Sequence, residues 1–135
     1  MKRPIEALEK GQQFSAASFV LDEEAVARYL EAVEDEALPR LAQAEGKAWL
    51  PPMAVAALAL RSLMEEMVLP AGAIHGSQEL RFVRPVEAGE RIACRAWLGH
   101  RSQRAGWWIL AVEMEGADES AQPVLTGRLT VMVPR

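Results

Sequence analysis

Hydrophobic and polar positions split the chain into two halves with different periods. From Phe14 to Leu21 a short apolar run, introduced by Gly11, predicts an opening strand. Asp22 follows and can cap a helix, with Glu23 and Glu24 in the first turn, where negative charge suits the helix dipole. Val26, Tyr29, Leu30 and Val33 recur at helical spacing and give that helix one apolar stripe. Residues 35–47 are polar and irregular, which predicts a loop with a turn of helix. Pro51 and Pro52 predict a second helix start, because proline is tolerated in the first turn. From Met53 to Met64 this helix is apolar nearly all round, with Arg61 and Ser62 as exceptions, so it is expected to be buried on every face and to end at Pro70 and Gly72.

After residue 73 the period changes to two. Ile74, Gly76, Gln78, Leu80 and Phe82 alternate with His75, Ser77, Glu79, Arg81 and Val83. Alternation continues through Ile92, Cys94, Ala96 and Leu98, then through Trp108, Leu110, Val112 and Met114. A last strand carries Leu125, Leu129, Val131 and Val133. Turn residues separate these runs at 87–89, at Ala105-Gly106 and between Asp118 and Pro123. Four successive strands without intervening helices make an antiparallel sheet, hence an α+β fold. Pattern alone leaves several α+β arrangements open.

Composition narrows the class. The chain has 135 residues, read as a single domain over 1–135, half of them hydrophobic and a quarter charged, which suits a globular domain with a modest core. Its net charge of -4 argues against nucleic acid or an anionic membrane as partner, although Arg91, Arg95, Arg101 and Arg104 lie close together. One cysteine, Cys94, excludes an internal disulfide and fits a reducing compartment. The first residues lack the apolar core of a signal peptide, and the longest weakly polar run stops at Arg61, too soon for a membrane span. A cytoplasmic protein is the expectation.

The stretch from Ile74 to Glu90 then selects a fold. It closes on Arg84-Pro85-Val86-x-x-Gly89-Glu90 and follows the apolar helix that Leu50-Pro51-Pro52 introduces. With Gly11-x-x-Phe14 upstream, the chain resembles the MaoC-like hydratase/dehydratase family of hotdog domains over nearly its whole length. The resemblance implies an antiparallel sheet wrapped around a long central helix, and acyl thioesters of CoA or acyl carrier protein as ligands, with no cofactor. It also implies a dimer, either a homodimer or a heterodimer with a catalytic hotdog subunit, since pairing covers the open sheet edges.

The family's catalytic pattern is Asp-x-Asn-Pro-x-His, an acid–base pair beside the thioester. The matching stretch here is Asp35-Glu36-Ala37-Leu38-Pro39-Arg40. Aspartate is kept, but arginine stands where histidine is needed, and arginine does not give up its proton in proteins. No histidine occurs before Ile74, so a shifted alignment does not restore the pair. The family polarises the thioester carbonyl with a backbone N–H at the start of the central helix. Here Pro51 and Pro52 lack that donor, leaving Met53 and Ala54.

Candidate residues follow from this. His75 is either a catalytic group paired with Asp35 or Glu79, or a structural or interface histidine. His100 is expected at an exposed strand end, and Cys94 in the core. Ser77 lacks a nucleophile-elbow glycine pattern, and one cysteine with two distant histidines builds no metal site. Trp49, ahead of the central helix, can line or gate an acyl tunnel. Trp107 and Trp108 must point to opposite faces, one inward and one out as an interface residue. The acyl-binding set implied by the resemblance is Trp49, Pro52, Met53, Ala56, Ala57, Ile74 and His75. The alanines either admit a chain between helix and sheet or simply let the two pack closely. Three readings result: a non-catalytic, acyl-chain-binding subunit of a hydratase/dehydratase; a thioesterase-type enzyme using Asp35 or Glu65; and a non-enzymatic acyl-thioester scaffold.

Overall fold

In the computed structural model residues 2–135 are described. A short pair opens it: β1 (Arg3–Pro4) runs parallel to β3 (Met67–Val68). Two-residue strands carry no readable period, so alternation along the chain does not reveal them. Ile5 and Leu8, which follow β1, are fully buried and fix the N-terminal segment to the core. Next come β2 (Gln13–Val20) and α1 (Glu23–Ala32). The Asp22 carboxylate accepts the Ala25 N–H at 2.7 Å, as expected of a cap. Of the stripe on α1 only Val26 is buried, and Val33 lies beyond the helix end, exposed.

The polar stretch after it is no loop but α2 (Ala37–Glu45). Asp35 Oδ1 accepts the N–H groups of Ala37 and Leu38 at 2.9 and 3.2 Å, and Gly46 ends the helix in the left-handed region at φ 67°. Pro39, which reads as a breaker, falls in the first turn, where its missing N–H costs nothing.

The central helix α3 (Pro52–Glu66) begins where the prolines place it, with Pro51 as its cap. It turns into β3 after Glu66, short of Pro70. Only one face is covered. Ala54, Val55, Ala56, Ala59 and Leu63 are buried, whereas Met53 and Met64 are 51% and 41% exposed and Ala57 also faces out. The expectation of burial all round is therefore corrected: α3 packs on β2, β5 (Arg91–Arg104) and β6 (Trp107–Ala117), and that contact hides one stripe.

The five-stranded antiparallel sheet is ordered β2-β5-β6-β7-β4, with β7 at Pro123–Pro134 and β4 at Ile74–Phe82. Its inner face carries the alternating residues read from the sequence, Ile92, Cys94, Ala96 and Leu98, then Leu110, Val112 and Met114, then Leu125, Leu129, Val131 and Val133, all buried. Each large one contributes about 1.5–3 kcal/mol on leaving water. The β5–β6 hairpin turns on Ala105 and Gly106, both at positive φ (50° and 83°), the geometry of a two-residue turn matched to strand twist. β5 thus runs on to Arg104. His100 is exposed inside a strand, not at its end.

The edge strand β4 differs from the rest. Eight of its nine residues are exposed, and Leu80 alone is half-buried against the core. A bulge at Gly76 also shifts its alternation: His75 stands opposite Val131, while Gln78, Leu80 and Phe82 stand opposite Leu129, Gly127 and Leu125. Directly opposed residues share a face. His75 therefore projects to the helix side together with Leu80, where strict alternation had put them on opposite faces. The interface cue expected from the tryptophans also moves here. Trp107 and Trp108 are both half-buried, with Trp108 on the core side under the Arg101 guanidinium at 4.2 Å. The exposed large apolar side chains at this edge are Ile74, Phe82 and Val83.

Candidate functional site

The Arg84–Glu90 turn shows why its residues occur together. Arg84 Nη2 donates to Glu90 Oε1 and to Asp118 Oδ2, both at 2.8 Å, and Nη1 donates to the Pro85 carbonyl at 2.7 Å. Glu90 Oε2 accepts the Glu87 N–H at 2.7 Å, closing a turn in which Gly89 sits at φ 90°. Hydrogen bonding to Arg84 holds the Glu90 and Asp118 carboxyls below the usual carboxylate range, and the same bonds raise the guanidinium. The turn is tied in its own right to the chain before the central helix. Leu50 N–H bonds Val86 O at 2.7 Å and Ala88 N–H bonds Ala48 O at 2.8 Å.

Between this turn, α2 and the start of α3 lies a pocket of about 390 Å³. Leu38 and Leu41 of α2, Trp49, Leu50, Pro52 and Val55 of the helix entrance, and Phe82, Val83, Pro85 and Val86 of the far wall make it apolar. Its ionisable neighbours are both engaged. Arg84 is held by two carboxylates, and the Glu45 carboxylate accepts the Trp49 indole N–H at 2.7 Å. Phe82 and Val83 place one wall at the end of the uncovered edge strand.

The sequence-derived candidates divide around this pocket. Trp49 and Pro52 line it. Met53 and Ala57 face outward, Ala56 is fully buried against the sheet, and Ile74 and His75 lie at the opposite end of β4 from Phe82. Ala56 and Ala57 therefore do not form one wall. Leu38, Leu41 and Phe82 were missed, because the helix that carries the first two was not read as a helix. Asp35 spends one oxygen capping α2 and borders a second groove, lined by Glu23, Val26, Leu30, Glu31, Glu34, Glu36, Leu38, Ala42 and Trp49 among others. Arg40 pairs with Glu36 at 3.6 Å on an exposed helix face. Glu65 pairs with Arg61 at 3.1 Å, also exposed. Of the two donors left at the start of α3, the Ala54 N–H is returned to Pro51 O at 3.0 Å. Cys94 is buried, and burial pushes its thiol up to about 11, which keeps it protonated and unreactive at neutral pH. Among the described residues, no cluster of three His, Cys, Asp or Glu side chains could hold a metal, and no helix is long and apolar enough to cross a membrane.

Comparison with known proteins adds the following. A family model described as "FAS1-like, dehydratase domain region" matches residues 9–126. A UPF0336 protein of Thermobifida fusca (strain YX) is 34% identical over 62 residues, 46% of this chain and 40% of that relative, so the match spans well under two thirds of its length. Among solved structures, an (R)-hydratase from A. caviae involved in PHA biosynthesis superposes with a TM-score of 0.76 at 21% identity, over 96% of this chain and 99% of that one. A C-terminally truncated HadBC (3R-hydroxyacyl-ACP dehydratase) complex from Mycobacterium tuberculosis gives a TM-score of 0.75 at 19% identity, over 94% and 98% of the two chains. At these identities the superpositions show a shared hotdog fold.

Proposed function

This chain belongs to the FAS1-like dehydratase region family, within the MaoC-like hotdog hydratases and dehydratases, and from that membership we propose that it is the non-catalytic, acyl-chain-binding subunit of a two-hotdog enoyl-thioester hydratase or 3-hydroxyacyl-thioester dehydratase. One observation carries the reading: the pocket at the entrance of α3 is apolar and among the described residues no histidine lines it, the ionisable side chains on its wall being Arg84, held by two carboxylates, and Glu45, whose Oε2 accepts the Trp49 indole N–H. Acid–base work at a thioester needs a group near its own pKa within reach of the substrate. Asp35 is engaged as a helix cap, and the position where the family places histidine is Arg40, turned to Glu36 on the surface.

The partner is a second hotdog subunit that brings the aspartate and histidine. Support comes from the edge strand β4, which offers a free backbone edge and leaves Ile74 and Phe82 uncovered. The structures it superposes on include a two-component dehydratase complex. Acyl-CoA or acyl carrier protein supplies the thioester, and the reaction class calls for no cofactor. Nothing in this reading involves nucleic acid or a membrane, and it places the protein in the cytoplasm.

The test is titration with a non-hydrolysable thioether analogue of a long acyl-CoA. The chain, with its partner, is expected to bind it, with affinity rising as the acyl chain lengthens. Affinity independent of acyl length removes acyl binding from this subunit.

A further inference from the structure

We propose that Trp49 is the partition that sets the length of hydrocarbon this chain accepts, and that Glu45 holds it in place; the inference rests on the acyl-binding reading above. Two side chains, Trp49 and Leu38, line both the apolar pocket of about 390 Å³ and the neighbouring groove of about 730 Å³ between α1 and α2. They are what stands between the two spaces. The backbone around Trp49 is fixed by pairing with the 86–88 turn on both sides. The indole is fixed separately: Glu45, one helical turn earlier, accepts its N–H at 2.7 Å, and the Lys47 ammonium lies 5.1 Å from the ring.

Chemistry of the walls defines the occupant. Arg84 is already held by the Glu90 and Asp118 carboxylates and Glu45 is itself an anion, so the pocket offers no unpaired cation to a carboxylate or phosphate. A neutral aliphatic tail fits. At the ~30 Å³ of a water-sized group, about a dozen methylenes fill the pocket. Beyond the indole, the groove presents Val26, Leu30 and Ala42 among carboxylates, Glu23, Glu31 and Asp35 included, so a neutral tail released past Trp49 meets apolar surface there but no cation.

Binding of straight-chain alkanols of increasing length, by displacement of an apolar fluorescent probe from the purified chain, tests this without a thioester. In the wild type, affinity is expected to rise ~4-fold per added methylene until the pocket is full and then level off. Trp49→Ala moves the levelling point to longer alkanols by several carbons. Trp49→Phe keeps most of the wall but has no N–H for Glu45, and moves it by a smaller step. Glu45→Ala leaves the ring in place but unpinned, and moves the levelling point in the same direction as Trp49→Ala by a smaller step. If Trp49→Ala and Glu45→Ala, folded by circular dichroism, level off at the wild-type length, Trp49 is no partition. If the wild type shows no length-dependent rise, the pocket takes no hydrocarbon, and the acyl-binding reading falls with it.

Discussion

Arg84 shows how one side chain organises a turn and a wall. Its guanidinium joins Glu90, Asp118 and a backbone carbonyl, and Pro85 and Val86 beside it line the pocket. The Arg-Pro-x-x-x-Gly-Glu spacing was legible as a turn, but its partner Asp118 was not, because it lies far along the chain and only the fold brings it back. The electrostatics predict an acid limb. Glu90 has a native pKa below its unfolded value, so its contribution is present above the usual carboxylate range and is lost as pH falls through the lower native value. Arg84→Gln is expected to lower stability at neutral pH and flatten the loss on acidification, measured as urea midpoints from pH 7 to pH 3. Parallel curves for wild type and variant would mean that the cluster contributes no pH-dependent stability.

At the scale of elements, long periodic segments were readable and single-face burial was not. Strands β5, β6 and β7 alternate as expected because every second side chain meets the core through one sheet face, whereas β4 does not. The apolar helix looked buried all round, since hydropathy records what a face would tolerate and not what covers it. Met53, Ala57 and Met64 are outward because α3 has a sheet on one side only. Helix α2 was unreadable for a different reason: its cap, Asp35, resembles a catalytic residue, and its proline resembles a breaker. The bulge at Gly76 reversed the face of His75 by a single residue, a shift no alternation pattern carries. The two alanines give a direct comparison. Ala56→Leu, fully buried, is expected to cost about 1–3 kcal/mol by overpacking. Ala57→Leu, exposed, should change stability by no more than about 0.5 kcal/mol. Equal losses in thermal or denaturant unfolding would contradict this orientation of α3.

The whole molecule is a half-structure along one edge. Helix α3 packs on β2, β5 and β6, and the inner row of β4 stays largely uncovered: His75, Gln78 and Phe82 are exposed and only Leu80 is half-buried. The proposed second hotdog, paired on β4, would extend the sheet and satisfy its edge beside Phe82, a residue of the pocket wall. Sedimentation at micromolar concentration is expected to show a dimer, and Ile74→Lys, which puts charge on that edge, to shift it toward monomer. A stable wild-type monomer would count against the pairing. The division of labour is tested most directly by the chain's own turnover. Purified without a partner, it is expected to leave a crotonyl-type thioester unhydrated above background, because among the described residues the ionisable side chains lining the pocket are Glu45 and Arg84, with no histidine. Robust hydration by the chain alone, abolished by His75→Ala, would contradict the non-catalytic assignment and make His75 the catalyst.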